Sequence, residues 1–276
     1  MTRGLKRLAR PVVIVACHGW NDAGEAATGA LHFLAQCYDA QSVYELDDEL
    51  FWDYTATRPQ VEGQETERQI IWPSIRFATA RTANQDLLLV DGPEPNLMWR
   101  TFTRIVVEKI TEAKPALVVV LGSMLADVPH TRGLPINGSS TSPEIDVMLA
   151  RSDYEGPTGI IGILADACRG IPDCEVVNLW VSVPHYAASN ENPLAVHTLL
   201  TQVRALLGNP ADLDLSKLET DARDWVRRVS QLVDDDPEIS EYVEELERGW
   251  DSDDISTVTG ETIAQEFERF LRDPGR

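Results

Sequence analysis

The sequence has 276 residues, 43% hydrophobic and 25% charged, enough for one large domain with an appendage or for two small domains, and close to globular averages. That composition argues against a disordered, collagenous or membrane-spanning chain. Its 45 acidic and 24 basic residues give a net charge of -21, a surface that repels phosphate backbones and anionic headgroups, so no nucleic acid and no membrane is expected as a partner.

The four cysteines, Cys17, Cys37, Cys168 and Cys174, form no Cys-x-x-Cys pair and no zinc-type cluster with histidine, which fits a reduced, cytoplasmic protein with no metal and no cofactor. Arg3, Lys6, Arg7 and Arg10 precede an apolar run ending at Cys17, a superficial likeness to a lipoprotein signal. The run is short for a secretory segment, and a buried first strand is expected instead.

In chain order, strands are expected over Val12 to Ala16, Ser42 to Leu46, Ile75 to Thr79, Leu87 to Val90, Leu117 to Leu121, Ile160 to Leu164 and Val176 to Val183. Continuous Val, Leu and Ile suits strands covered on both faces of a mostly parallel sheet. Between them, helices are expected over Asp22 to Tyr38, Trp99 to Ala113 and Pro193 to Leu207, with Asp22 and Glu25 as a capping box for the first and Asn192 as N-cap of the last. Leu50 to Trp72, with Arg58-Pro59 and Gly63, reads as an extended excursion. The alternation points to an α/β fold, a three-layer mostly parallel sheet flanked by helices, over residues 1–208.

Composition shifts at Gly208-Asn209-Pro210, and from Pro210 onward 20 acidic residues face 8 basic ones. Three amphipathic stripes follow: Leu218 to Val233, Ile239 to Leu246 and Ile263 to Leu271. The runs 234–237 and 251–259 connect them. Short amphipathic helices need a surface to cover, so residues 209–276 are expected to form an acidic helical C-terminal region docked on the core or on a neighbouring subunit.

No Walker A loop, strand-anchored Gly-x-Gly-x-x-Gly, His-Glu-x-x-His or Gly-x-Ser-x-Gly is present, so no catalytic residue is assigned. Four polar clusters remain. Gly19-Trp20-Asn21-Asp22-Ala23-Gly24 follows the first strand, where Asn21 and Asp22 are candidates for a neutral or cationic ligand; a helix cap is the simpler role. Pro129-His130-Thr131-Arg132 lies beyond a strand's carboxyl end, where open α/β sheets place their sites. It joins a titratable His130 to Arg132, a guanidinium that can hold a carboxylate. Tyr154-Glu155-Gly156-Pro157-Thr158-Gly159 sets a turn. Pro184-His185-Tyr186 again follows a strand, so His185 and Tyr186 are placed to rim a crevice with His130. His18, His32 and His197 read as packed or surface histidines.

These clusters, together with Asp91-Gly92-Pro93-Glu94-Pro95, resemble the bacterial branch of the proteasome assembly chaperone 2 family, particularly its actinobacterial members. The resemblance spans roughly residues 10–207 and returns in the segment from Gly260 to Arg272. It implies a phosphorylase/hydrolase-like core, self-association into a homo-oligomer such as a trimer, and a chaperone role toward proteasome subunits or another protein client. The chain ends Asp273-Pro274-Gly275-Arg276, without the hydrophobic-Tyr-x ending that some relatives insert into a ring pocket, so another surface is expected to carry any client.

Three functional readings follow. The first is a non-enzymatic, homo-oligomeric interaction protein. The second is a small-molecule binder or hydrolase/phosphorylase-like enzyme, with His130 or His185 as general acid or base, Arg132 as anion clamp and Asp22 as acceptor. The third makes the acidic tail an arm for a basic partner.

Overall fold

The computed structural model describes residues 5, 8–63, 68–150, 154–188 and 191–252. The main sheet contains β1 (Val12–His18), β2 (Gln41–Leu46), β5 (Ile75–Arg81), β6 (Asp86–Pro93), β7 (Leu117–Ala126), β8 (Ile136–Ser140) and β9 (Glu175–Pro184), in the order β2-β5-β6-β1-β7-β9-β8. The central strands β6, β1, β7 and β9 are parallel, whereas β5 and β8 run antiparallel to their neighbours. A separate hairpin, β3 (Gln60–Glu62) with β4 (Gln69–Ile71), occupies the excursion before β5.

Alternation along β1 divides the interior into two cores. Val12, Ile14 and Ala16 face one, where α1 (Ala26–Cys37) and α5 (Pro193–Leu206) supply Leu31, Leu34, Leu199 and Val203. Val13, Val15 and Cys17 face the other, against Phe102 and Val106 of α2 (Trp99–Glu112) and Ile161 and Leu164 of α4 (Ile160–Cys168). Helices on both faces of a mostly parallel sheet make the three layers. Small residues Ala26, Ala27 and Ala30 bring α1 close to the strands.

Two expectations need correcting. Ile160 to Leu164 is the first half of α4, not a strand. Its buried residues Ile160, Ile161, Leu164, Ala165 and Cys168 follow helical spacing, and a short apolar run carries no periodicity that separates the two states. The expected capping box is also absent. The chain first makes a 3-10 turn at Ala23–Glu25, and Glu25 sits exposed in left-handed backbone at φ 49°. Asp22 nevertheless caps α1 from outside, its Oδ1 accepting from the N–H groups of Ala27 (2.9 Å) and Thr28 (3.1 Å). Asn192 caps α5 as expected, accepting from Ala195 N at 3.0 Å.

A short helix, α3 (Pro143–Asp146), and the edge strand β8 were not anticipated. Past α5, Leu213, Leu215 and Leu218 join the α1/α5 core, and α6 (Ser216–Asp234) packs along α5. Helix α7 (Pro237–Ser252) folds back on α6, with Trp225, Val229, Val233 and Val243 forming a small core of their own. The expected third tail helix, 263–271, lies outside the described residues, as does 253–259 of the expected connection; Asp251 and Ser252 belong to α7.

Candidate functional site

Parallel pairing of β7 with β9 sets Ala126 opposite Pro184, so the two loops that follow leave the sheet side by side. That register brings His130, Arg132, His185 and Tyr186 into one neighbourhood with α6 and α7. His130 is 1% exposed. The Tyr186 phenol oxygen accepts its backbone N–H at 2.8 Å and also bonds Nδ1 at 2.8 Å, while Nε2 meets Ser230 Oγ of α6 at 2.9 Å. Burial holds the His130 pKa below its usual value, against the pull of Glu247 and Asp234, and pushes the Tyr186 phenol up to about 12.

Arg132 reaches α7. Its Nε and Nη2 donate to the two oxygens of Asp251 at 3.0 and 2.8 Å, and Nη1 donates to Glu247 at 3.4 Å. The bonds to Asp251 hold the guanidinium pKa above its ordinary value. Thr131 bonds the same Glu247. His185 Nδ1 lies 3.3 Å from Asp127 Oδ1, which also accepts from Tyr242 OH of α7 at 3.0 Å. The rings of His185, Tyr186 and Tyr242 meet edge to face. Each of these groups therefore has a partner inside the chain, and together they fasten the helical hairpin to the sheet's carboxyl end. Ser230 and His130 form a serine–histidine pair, but its third member is a phenol rather than a carboxylate.

Asn21 and Asp22 belong to a different node. Asn21 is fully buried; its Nδ2 donates to Glu94 Oε1 at 3.2 Å, and the same oxygen accepts from Ile160 N at 2.7 Å, capping α4. A Cβ added at Gly159 would overlap Asn21 Oδ1 and lie 2.9 Å from Glu94 Oε1, so the close approach requires glycine. The Asp22 carboxyl pKa is raised by burial, partly offset by its bonds to Thr28 and Ala27 and by His18.

Beside this node lies a grouping that sequence reasoning missed. His18 at the end of β1, His32 on α1 and Asp91 on β6 converge. His32 Nε2 is 3.1 Å from Asp91 Oδ2, and Arg76 donates to that oxygen at 2.7 Å. Burial raises the Asp91 pKa, but the bonds from His32 and Arg76 more than compensate and leave it below the usual carboxylate range. The available signal was that β1 and β6 are adjacent strands whose carboxyl ends carry a histidine and an aspartate.

A cleft of about 1040 Å³ is lined by residues of α4, β8 and β9. Asn137, Ser139, Asn178 and Trp180 line it from β8 and β9, and Tyr154 and Thr158 from the loop before α4. Asn178 Oδ1 has no partner among the described residues. Trp20, Leu125 and Tyr154, which also line the cleft, are all more than half exposed. Of the six candidate residues only Asp22 lines it.

No helix among the described residues is long and apolar enough to cross a membrane. The PAC2 family model matches residues 16–233. Among solved structures, a PAC2 family protein from Streptomyces avermitilis is 39% identical, with a TM-score of 0.76 over 84% of this chain and 99% of that one. A proteasome-assembly chaperone homologue from Mycobacterium tuberculosis is 37% identical, with the same TM-score and coverage. An archaeal homologue of proteasome-assembly chaperone from Pyrococcus furiosus shares the fold at 15% identity, with a TM-score of 0.58 over 88% of this chain and 96% of that one. No protein of curated function matches the chain. With its sheet order, paired loops and capping node in place, this chain belongs to the PAC2 family.

Proposed function

We propose that this protein is a homo-oligomeric interaction protein that assists assembly of a protein complex, with proteasome subunits as the client class. In this reading residues 1–208 are the α/β body and 209–276 an appendage that rigidifies the carboxyl end of the sheet. Family membership supports a chaperone-like role.

The observation that carries the proposal is the exposed apolar surface of the excursion before β5. Leu50, Val61, Ile70 and Trp72 are between 51% and 66% exposed, and Leu97 and Met98 are exposed to a similar degree. Leu97 N donates to Phe51 O at 3.1 Å and the Tyr54 and Trp72 rings lie 4.9 Å apart, which ties these side chains to one region. Large apolar side chains grouped on a surface mark protein contacts.

Native mass spectrometry tests both halves of the proposal. The full chain is expected to form a homo-oligomer, and Val61→Ser/Ile70→Ser/Trp72→Ser to shift it toward monomer while retaining its circular dichroism. Mixed with purified proteasome α subunits, the wild type is expected to give a complex and to change the rate of ring assembly. A monomeric wild type overturns the self-association; absence of a complex together with unchanged ring assembly overturns the client.

A further inference from the structure

We propose that His18, His32 and Asp91 form a binding site for a divalent transition metal, with zinc the best-matched ion. The argument for this site uses none of the exposed apolar side chains above, and neither proposal depends on the other.

The backbone builds the constellation. Asp91 on β6 pairs in register with Ala16 on β1, whose side chain faces α1. His18 lies two residues further along β1 and therefore points to the same side of the sheet. His32 approaches from α1 itself. One ligand atom from each of the three residues lies within 4.8 Å of the other two, and the histidine ring centroids are 5.6 Å apart.

Zinc bonds to nitrogen and oxygen are about 2.0–2.2 Å, which places the donors of a tetrahedral shell about 3.3–3.5 Å apart. The His32–Asp91 separation of 3.1 Å is close to that spacing. His18, 42% exposed at its side chain, is free to close the remaining gap by rotating its ring.

The donor set is also the right chemistry. Two imidazoles and one carboxylate, with the fourth position open, suit zinc or a neighbouring first-row ion and not calcium, which needs six or more oxygens. Arg76 holds the Asp91 carboxylate, as outer partners of metal-ligating carboxylates do. Asp22, whose Oδ2 is 3.6 Å from His18 Nδ1, adds a second carboxylate, so the negative groups outnumber the one guanidinium. Packing does not require the arrangement, because Arg76 by itself gives the buried Asp91 a charged partner, and both histidine side chains remain more than a third exposed.

The experiment is titration of the untagged full-length protein, stripped with a chelator, with zinc by calorimetry and with cobalt(II) by visible absorption. The expected result is one ion per chain, a cobalt spectrum without thiolate charge transfer, and a rise in Tm on adding zinc. His18→Gln and His32→Gln are each expected to weaken zinc binding at least tenfold, with Tm unchanged in the absence of metal. Their combination is expected to abolish it. Lack of saturable binding at 100-fold molar excess of zinc overturns the proposal. So does binding that survives in the double variant, or a thiolate band, which would place the ion on a cysteine such as the exposed Cys37.

Discussion

Replacing Tyr186 with phenylalanine removes one oxygen atom and leaves two groups of a buried histidine without partners. The hydroxyl accepts the His130 backbone N–H and bonds its Nδ1, both at 2.8 Å. His130 is 1% exposed, so water does not readily take the hydroxyl's place. Leaving one buried polar group unsatisfied costs about 1–3 kcal/mol. Two such groups, one on the half-buried Tyr186 side of the ring, give an expected loss of about 2–4 kcal/mol. The phenylalanine ring keeps the apolar packing against the tail's own core of Trp225, Val229, Val233 and Val243, so the loss isolates the hydrogen bonds. Urea denaturation measures the total, and hydrogen exchange locates it. Amides of residues 216–252 are expected to lose protection first, while those of β1 and β7 keep theirs. A loss below about 0.5 kcal/mol, or uniform loosening of sheet and tail, would refute the view that this hydroxyl fastens the helical hairpin.

Four further outcomes follow from the same geometry. Because burial lowers the His130 pKa in the folded chain, the unfolded chain binds the proton more tightly; stability is complete above the ordinary value near 6.5 and falls as pH drops through it. Denaturation midpoints at pH 7.5 and 5.5 check this, and the difference should shrink in His130→Gln. Arg132→Ala is expected to leave the global midpoint nearly unchanged while speeding exchange at the end of α7, an effect that 0.5 M salt reproduces in the wild type because the pair with Asp251 is open to solvent, at 33% and 57% side-chain exposure. Gly159→Ala is expected to cost about 1–3 kcal/mol by overpacking; since the added Cβ meets Asn21 Oδ1, Asn21→Ala in the same chain should recover part of that loss, read as a double-mutant cycle in urea. Truncation after residue 209 removes the buried Leu213, Leu215 and Leu218 from the α1/α5 core, so light scattering should report aggregation; a soluble, folded body would show that these leucines are dispensable.

The sequence patterns that survive in the structure are those with a single physical interpretation. Val12 to Ala16 and Val176 to Val183 are buried strands because their valine-rich sequences favour extended backbone, the second with aromatic Trp180 as well, and the α5 start at Asn192-Pro193 follows from cap chemistry. Ile160 to Leu164 misled because a buried helix and a buried strand look alike over five residues. What decides the matter is Glu94, 66 residues upstream, which caps the helix through Ile160 N. Strand β8 was illegible for the opposite reason: Asn137-Gly138-Ser139-Ser140 has the chemistry of a turn, and only pairing with β9 makes it a strand.

The candidate residues show the same limit. Chain order suggested that His130 and His185 follow neighbouring strands, and the β7–β9 register places them together. It carried no information that Ser230, Glu247 and Asp251 would arrive from the tail, because partners separated by 100 residues or more leave no local pattern. His18 on β1 and His32 on α1 are likewise separated from Asp91 on β6 by four intervening strands, β2 to β5.

The long reach of the Pro-His-Thr-Arg loop also imposes a timetable on the newborn chain. Every strand of the sheet has been synthesised by residue 184, yet Ser230 and Asp251 come off the ribosome well after that. During this interval Tyr186 is the partner at hand for His130, while the groups that α6 and α7 bring to His130 and Arg132 are still missing. Maturation of this end of the molecule thus waits on translation of α6 and α7, and a ribosome that stalls before them leaves a body with its fastening undone.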